Sequence, residues 1–177
     1  LEKVDSGKRT ISNVATEVER WESSQNVEPI PIPRQMKIVI RNEDFTKAKL
    51  EDESIDLILT DVPYPEEYQH LYNELGVTAK RVLKPNGWMI TYCGHYQIPY
   101  VTRVLGESLS YDWMFAVLMK NDHARIRDYG VCWKPMVIYY KEPRVNHERL
   151  DDLFVNAKPE KRFHEWGQGT GIFKYIL

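Results

Sequence analysis

The sequence predicts an α/β domain, on three observations. Short β-branched apolar runs alternate with segments of helical periodicity, the run Ile55–Thr60 is almost continuously apolar, and turn residues mark the boundaries between them. A strand covered on both faces carries no polar side, so an uninterrupted apolar run belongs to the interior of an α/β sheet. In such sheets the loops at the carboxyl ends of the strands are the place for chemistry. With 177 residues the chain most simply makes one domain, burying roughly two-thirds of its unfolded surface.

The elements follow in order. In residues 1–21, Ile11, Val14, Val18 and Trp21 recur at three- and four-residue steps behind a Thr10 or Ser12 cap, giving one helix with a single apolar face. Residues 22–34 are polar and then proline-punctuated, an extended linker that leaves the first helix as the tail of a preceding region. The domain proper is expected over 35–177. Met36–Ile40 reads as a first strand and Ile55–Thr60 as a second. From Glu66, apolar residues keep helical spacing to Val82, where Lys84-Pro85-Asn86-Gly87 supplies turn residues. Trp88–Tyr92 is a strand, and Tyr96–Glu107 a helix with Pro99 near its start. Asp112–Met119 and Met136–Tyr140 are two further strands, expected to be adjacent.

Composition narrows the class. Apolar residues at 42% and charged residues at 28% exclude a disordered chain, and no apolar run approaches the roughly 18 residues a membrane span needs. Cys93 and Cys132, distant in sequence, argue against a disulfide scaffold or a zinc site and for a reducing compartment; with no leader pattern, the cytoplasm is expected. No set of His residues has ligand spacing, so no metal is expected; His95, just past a strand end, is the histidine placed to approach a site. The net charge is −2, but its distribution is uneven. Glu43–Glu74 holds ten acids and two bases, whereas Lys120–Arg149 holds seven bases and four acids. Either these are ordinary solvated faces or a nucleic acid approaches from one side only.

The strand Ile55–Thr60 runs straight into Asp61-Val62-Pro63-Tyr64-Pro65, which puts a carboxylate, a restrained backbone and an aromatic ring at its carboxyl edge. This segment resembles the D-P-P-Y motif of S-adenosylmethionine-dependent amino-methyltransferases acting on DNA, with valine in the second place. Three flanking landmarks extend the resemblance over about Met36–Leu177. Ile38–Asp44 resembles the family's upstream strand and acidic turn, and Arg81–Trp88 its helix, K-P-G-G turn and strand. His164-Glu165-Trp166-Gly167-Gln168 with Phe173–Leu177 is similar to the element that, in members with permuted motif order, precedes the cofactor's glycine loop. The resemblance implies a Rossmann-like methyltransferase sheet with flanking helices. The glycine loop itself has no counterpart here, so the expectation is an incomplete domain whose activity alone is in doubt.

The residue types suit that chemistry. An exocyclic amine on a nucleobase is a poor nucleophile, because its lone pair is delocalised into the ring. Two acceptors on its two hydrogens draw the nitrogen toward tetrahedral geometry. Asp61 is acceptor-only when ionised, near pH 4 and above. The resemblance makes the Val62 carbonyl the second acceptor, and Pro63 keeps Val62 extended. It further implies that Tyr64 stacks on a flipped base, at roughly 1–3 kcal/mol per base, and that the opening Asp favours adenine N6 over cytosine N4. Asp44 either contacts the cofactor or caps a helix from Phe45, and His164 and Gln168 either contact the cofactor or lie in a surface loop. The segment Asn121–Lys134 carries Arg125, Arg127, Trp133 and Lys134, suited to phosphate contact and stacking on DNA, or is a plain surface loop. A methyltransferase-like module that binds nucleic acid without catalysis is the alternative function, favoured by Val62 and by the lacking glycine loop. An RNA or protein amide methyltransferase is a third reading.

Overall fold

The computed structural model describes residues 39–119, 124–126, 128–146, 150–156, 172 and 176. Among them the elements are β1 (Ile55–Asp61), α1 (His70–Val82), β2 (Leu83–Tyr92), α2 (Ile98–Gly106), β3 (Ser110–Met119), β4 (Ala124–Ile126), β5 (Tyr129–Val131), β6 (Trp133–Tyr140) and β7 (Leu153–Asn156). Single 3-10 turns at Glu66–Tyr68 and His95–Gln97 lead into the two helices. Five strands form one sheet in the order β1-β2-β6-β3-β7, and β4 pairs with β5 in a separate hairpin. β1 and β2 are parallel, as are β3 and β7, while β6 runs antiparallel to both of its neighbours. The chain thus crosses from β2 through α2 to β3 leaving one strand's width between them, and β6 fills that slot.

The helices form where the apolar spacing says they should. On α1 the buried residues Tyr72, Leu75, Gly76, Ala79 and Val82 make one stripe at three- and four-residue steps. On α2, Val101, Val104 and Leu105 do the same behind Pro99 in the first turn, where a missing N–H costs nothing. Both stripes cover one face of the sheet, against Met89, Val137 and Tyr139. The opposite face gathers Ile90, Tyr92, Phe115, Val117, Met136 and Ile138, with Phe154 and Ile172 packed onto it. Alternation along β2 (Met89 one way, Ile90 the other) and along β6 (Val137, Ile138) is the two-residue period of a strand buried on both sides.

Several boundaries differ from the sequence reading. Val39 and Ile40, the described end of the expected first strand, lie outside any strand and are exposed; Met36, Lys37 and Ile38 fall outside the described residues. Lys84-Pro85-Asn86-Gly87 does not separate helix from strand. Leu83 already pairs with Ile55, the next matched pair is Leu57 with Trp88, and the four residues bulge between. Asn86 takes a left-handed φ of 68°, and a Cβ on Gly87 would meet the Lys84 carbonyl at 2.9 Å, so this bulge needs glycine. The bulge is tied down by Asn86 N donating to Lys141 O at 2.8 Å and by a Lys84 to Asp56 ion pair at 2.8 Å. β3 and β6 begin earlier than expected, at Ser110 and Trp133, and they are adjacent as expected. The β4 and β5 hairpin and the edge strand β7 were not foreseen. The N-terminal helix and linker expected over 1–34 lie outside the described residues.

Candidate active site

β1 carries its sequence to the carboxyl edge of the sheet and delivers Asp61 there, exposed, with its Cα paired to that of Tyr92 on β2. Val62 turns inward and is buried, Pro63 is exposed, and Tyr64 is half-buried with its ring against the apolar face built by Tyr92 and Met136. The loop is held from the turn ahead of α2. Gln97 Nε2 donates to the Tyr64 carbonyl at 2.8 Å, and Tyr96 Oη donates to the same oxygen at 3.0 Å. Gln97 is fully buried, and its Oε1 accepts Gly94 N at 2.9 Å, so the side chain that pins the loop is itself fixed by the backbone at the end of β2. From α1, Tyr72 Oη donates to the Tyr92 carbonyl at 3.1 Å. A restrained loop with a carboxylate at its start is a preorganised acceptor, which is what a reacting N–H requires.

The electrostatics point one way. Burial raises the pKa of the Tyr64, Tyr72 and Tyr92 phenols, and the negative charge of Asp61 raises each further. The Cys93 thiol is pushed up to about 12 from its ordinary 9.0, by burial first and Asp61 second. Four groups around Asp61 therefore stay neutral at pH 7, and its charge faces no competing anion among them. For Cys93 the sign is that of a raised acid: its contribution to stability is intact below pH 9 and is lost as pH climbs toward 12. Cys93 is buried and Cys132 exposed. Native protein at pH 8 is expected to give one rapidly labelled thiol with a chromogenic disulfide reagent, Cys132, and a second only on unfolding. Two fast thiols would contradict this burial.

The other residues singled out in the sequence are placed as follows. Asp44 lies in an exposed turn, where its Oδ1 accepts Thr46 N at 3.0 Å and Thr46 Oγ1 at 2.8 Å, and these bonds lower its pKa. No helix starts at Phe45, so the capping alternative becomes a side-chain-stabilised turn. Arg125 is exposed on β4. Trp133 and Lys134 open β6 and are half-buried rather than on a loop. The His95 ring meets the Trp133 ring edge to face at 4.6 Å, and partial burial lowers the His95 pKa. These two rings, with Tyr96, Ile126, Tyr129, Gly130 and Val131, line an open cleft of about 370 Å³. Tyr96 thus joins that cleft to the Tyr64 carbonyl. Arg127, His164 and Gln168 fall outside the described residues.

Sequence reasoning missed Gln97, Tyr96 and Tyr92. For Gln97 a signal was present: a glutamine three residues after Gly94 and two before Pro99 occupies the reciprocal position of a helix-start motif. In the sequence Tyr92 is a plain strand residue, and only strand pairing sets it beside Asp61. Among the described residues no cluster of three or more His, Cys, Asp or Glu side chains is arranged to hold a metal ion, and no helix is long and apolar enough to cross a membrane.

This mixed sheet with flanking helices is a Rossmann-like fold. The chain is similar to the crystal structure of the M1.HpyAVI–SAM complex, with a TM-score of 0.56 and 21% identity over 70% of this chain and 65% of that one. It is also similar to the crystal structure of M1.HpyAVI, with a TM-score of 0.48 and 19% identity over 59% and 56% of the two chains. The chain therefore spans less than two-thirds of the length of the chain in either structure. No protein-family model and no curated protein sequence matches it.

Proposed function

We propose that the chain is the base-binding part of an S-adenosylmethionine-dependent DNA methyltransferase that modifies the exocyclic amine of a flipped base, adenine N6 in preference to cytosine N4. The observation that carries this reading is the exposed Asp61 carboxylate at a strand end, followed by a loop whose Tyr64 carbonyl is clamped by Gln97 and Tyr96. The fold shared with a structure solved as a SAM complex supports the cofactor.

Asp61 and the Val62 carbonyl accept the two hydrogens of the amine and turn its lone pair outward, while the half-exposed Tyr64 ring covers the base. S-adenosylmethionine supplies the electrophilic methyl group when bound. Asp61 would take the proton that the methylated amine must lose, the methyl having left the sulfonium sulfur with its bonding pair remaining on sulfur, and the exposed position would let Asp61 pass that proton to water. On the cofactor side, Asp44 fits: its bonds to Thr46 keep an exposed carboxylate ionised and acceptor-only, as a ribose or an adenine amine needs. His164 and Gln168 are proposed beside it. Arg125, Arg127 and Trp133 are proposed to meet the DNA, with the aromatic cleft around Trp133 open to bases.

The test is transfer of a radiolabelled methyl group to duplex DNA by the protein carrying this chain, with titration of S-adenosylmethionine in parallel. Transfer to adenine N6 is expected. Transfer to cytosine N4 alone would reverse the base preference, and DNA binding without any transfer would favour the non-catalytic module.

A further inference from the structure

The register of the sheet sets a cation on the same face as Asp61. Asp61 pairs with Tyr92, and Tyr92 pairs with Met136, so the three side chains lie in a row on one face across β1, β2 and β6. Lys134 is two residues before Met136 and therefore on that same face, one step nearer the carboxyl edge. Its Nζ stands 5.7 Å from the centroid of the Tyr64 ring and 6.0 Å from that of Tyr92. Both rings flank Asp61, one in the next turn of chain and one across the strand pair.

We propose that Lys134 is a positioning residue of the Asp61 site, its ammonium holding the carboxylate ionised and the Tyr64 loop in place. This rests on the reading of Asp61 as the amine acceptor. Among the described residues, the titratable groups facing Asp61 are Tyr64 from its own loop, Tyr72 from α1, and Tyr92 and Cys93 from β2, with Tyr96 and His95 on the turn beyond. The phenols and the thiol are neutral at pH 7, and His95 is held toward its neutral form. Among the described residues of this group, Lys134 carries the positive charge. A carboxylate on a partly apolar face with no counter-charge becomes more basic and binds a proton sooner, and a protonated oxygen is a donor that no longer accepts N–H. A cation seated over two ring faces also restrains Tyr64 from above while Gln97 holds its carbonyl. The half-buried stem of Lys134 along the sheet suits that position better than contact with a phosphate outside.

The experiment compares wild type, Lys134→Met and Lys134→Arg in the protein carrying this chain. The Asp61 carboxyl is titrated by carbon NMR with labelled aspartate, assigned through Asp61→Asn, and the pH profile of kcat/KM for methyl transfer is recorded. Lys134→Met is expected to raise the Asp61 midpoint by about one pH unit, to move the acid limb of the profile the same way, and to lower kcat by about 10- to 100-fold at pH 7. Lys134→Arg, which keeps the charge and guards against a variant that merely folds badly, is expected to restore the midpoint. An Asp61 midpoint unmoved in Lys134→Met overturns the inference even if the wild type methylates DNA. A midpoint shifted in Lys134→Met, where the wild type transfers no methyl group, upholds the charge pair and overturns the methyltransferase reading instead.

Discussion

On the proposed function, Asp61→Ala is expected to lower methyl transfer by about 10²- to 10³-fold with little change in folding stability, because it removes one preorganised acceptor from an exposed position. The amine then keeps the Val62 carbonyl but loses the partner that fixes its second hydrogen, and its lone pair returns to the ring. Asp61→Asn retains one acceptor oxygen and loses the charge, so it falls between, at about tenfold. Affinity for S-adenosylmethionine is expected to hold in both variants, since the role proposed for Asp61 is toward the base and not the cofactor. Single-turnover transfer of labelled methyl groups at saturating cofactor separates the two effects, and equal rates for wild type and Asp61→Ala would remove Asp61 from the mechanism.

Gln97→Ala is expected to be the costliest polar substitution near the site. The side chain is fully buried, donates to the Tyr64 carbonyl at 2.8 Å and accepts Gly94 N at 2.9 Å. Truncation strands Gly94 N without its acceptor, at about 1–3 kcal/mol, and leaves a cavity worth about 1 kcal/mol more. Stability should fall by about 2–4 kcal/mol in denaturant unfolding, and methyl transfer should fall beyond what the lost folded fraction explains. Tyr96→Phe is the control. It removes the other donor to the same carbonyl from an exposed ring and is expected to cost under about 1 kcal/mol. Equal losses in the two variants would mean that burial of Gln97 does not govern the loop.

The fold was legible where one period dominates. The α1 stripe and the continuous apolar run of β1 are set by local spacing, so their existence and type can be read from Tyr72, Leu75, Ala79 and Val82 or from Ile55–Thr60 alone. The bulge at Lys84–Gly87 was read as a turn because its residues are turn residues; that they sit inside a strand depends on Leu83 finding Ile55, a partner far away in sequence. Val39 and Ile40 have strand character without a described strand to pair with, and propensity alone does not make one. In the site, Asp61, Val62, Pro63 and Tyr64 stood out because they are contiguous. Tyr92 and the second role of Lys134 were hidden because each acts across strands, and pairing register is not written in any one segment; for Gln97 the helix-start pattern is local, but its bond to the distant Tyr64 carbonyl is not.

The reversed strand between β2 and β3 has a consequence for how the molecule comes into being. While the polypeptide is being synthesised, the first two parallel strands and the third have no common neighbour until Trp133–Tyr140 has left the ribosome and slid between them. The half-made sheet must wait with two raw edges, and closure depends on contacts distant along the chain, which form slowly. A stop codon ahead of Trp133 would therefore abolish the architecture as well as the last of its side chains.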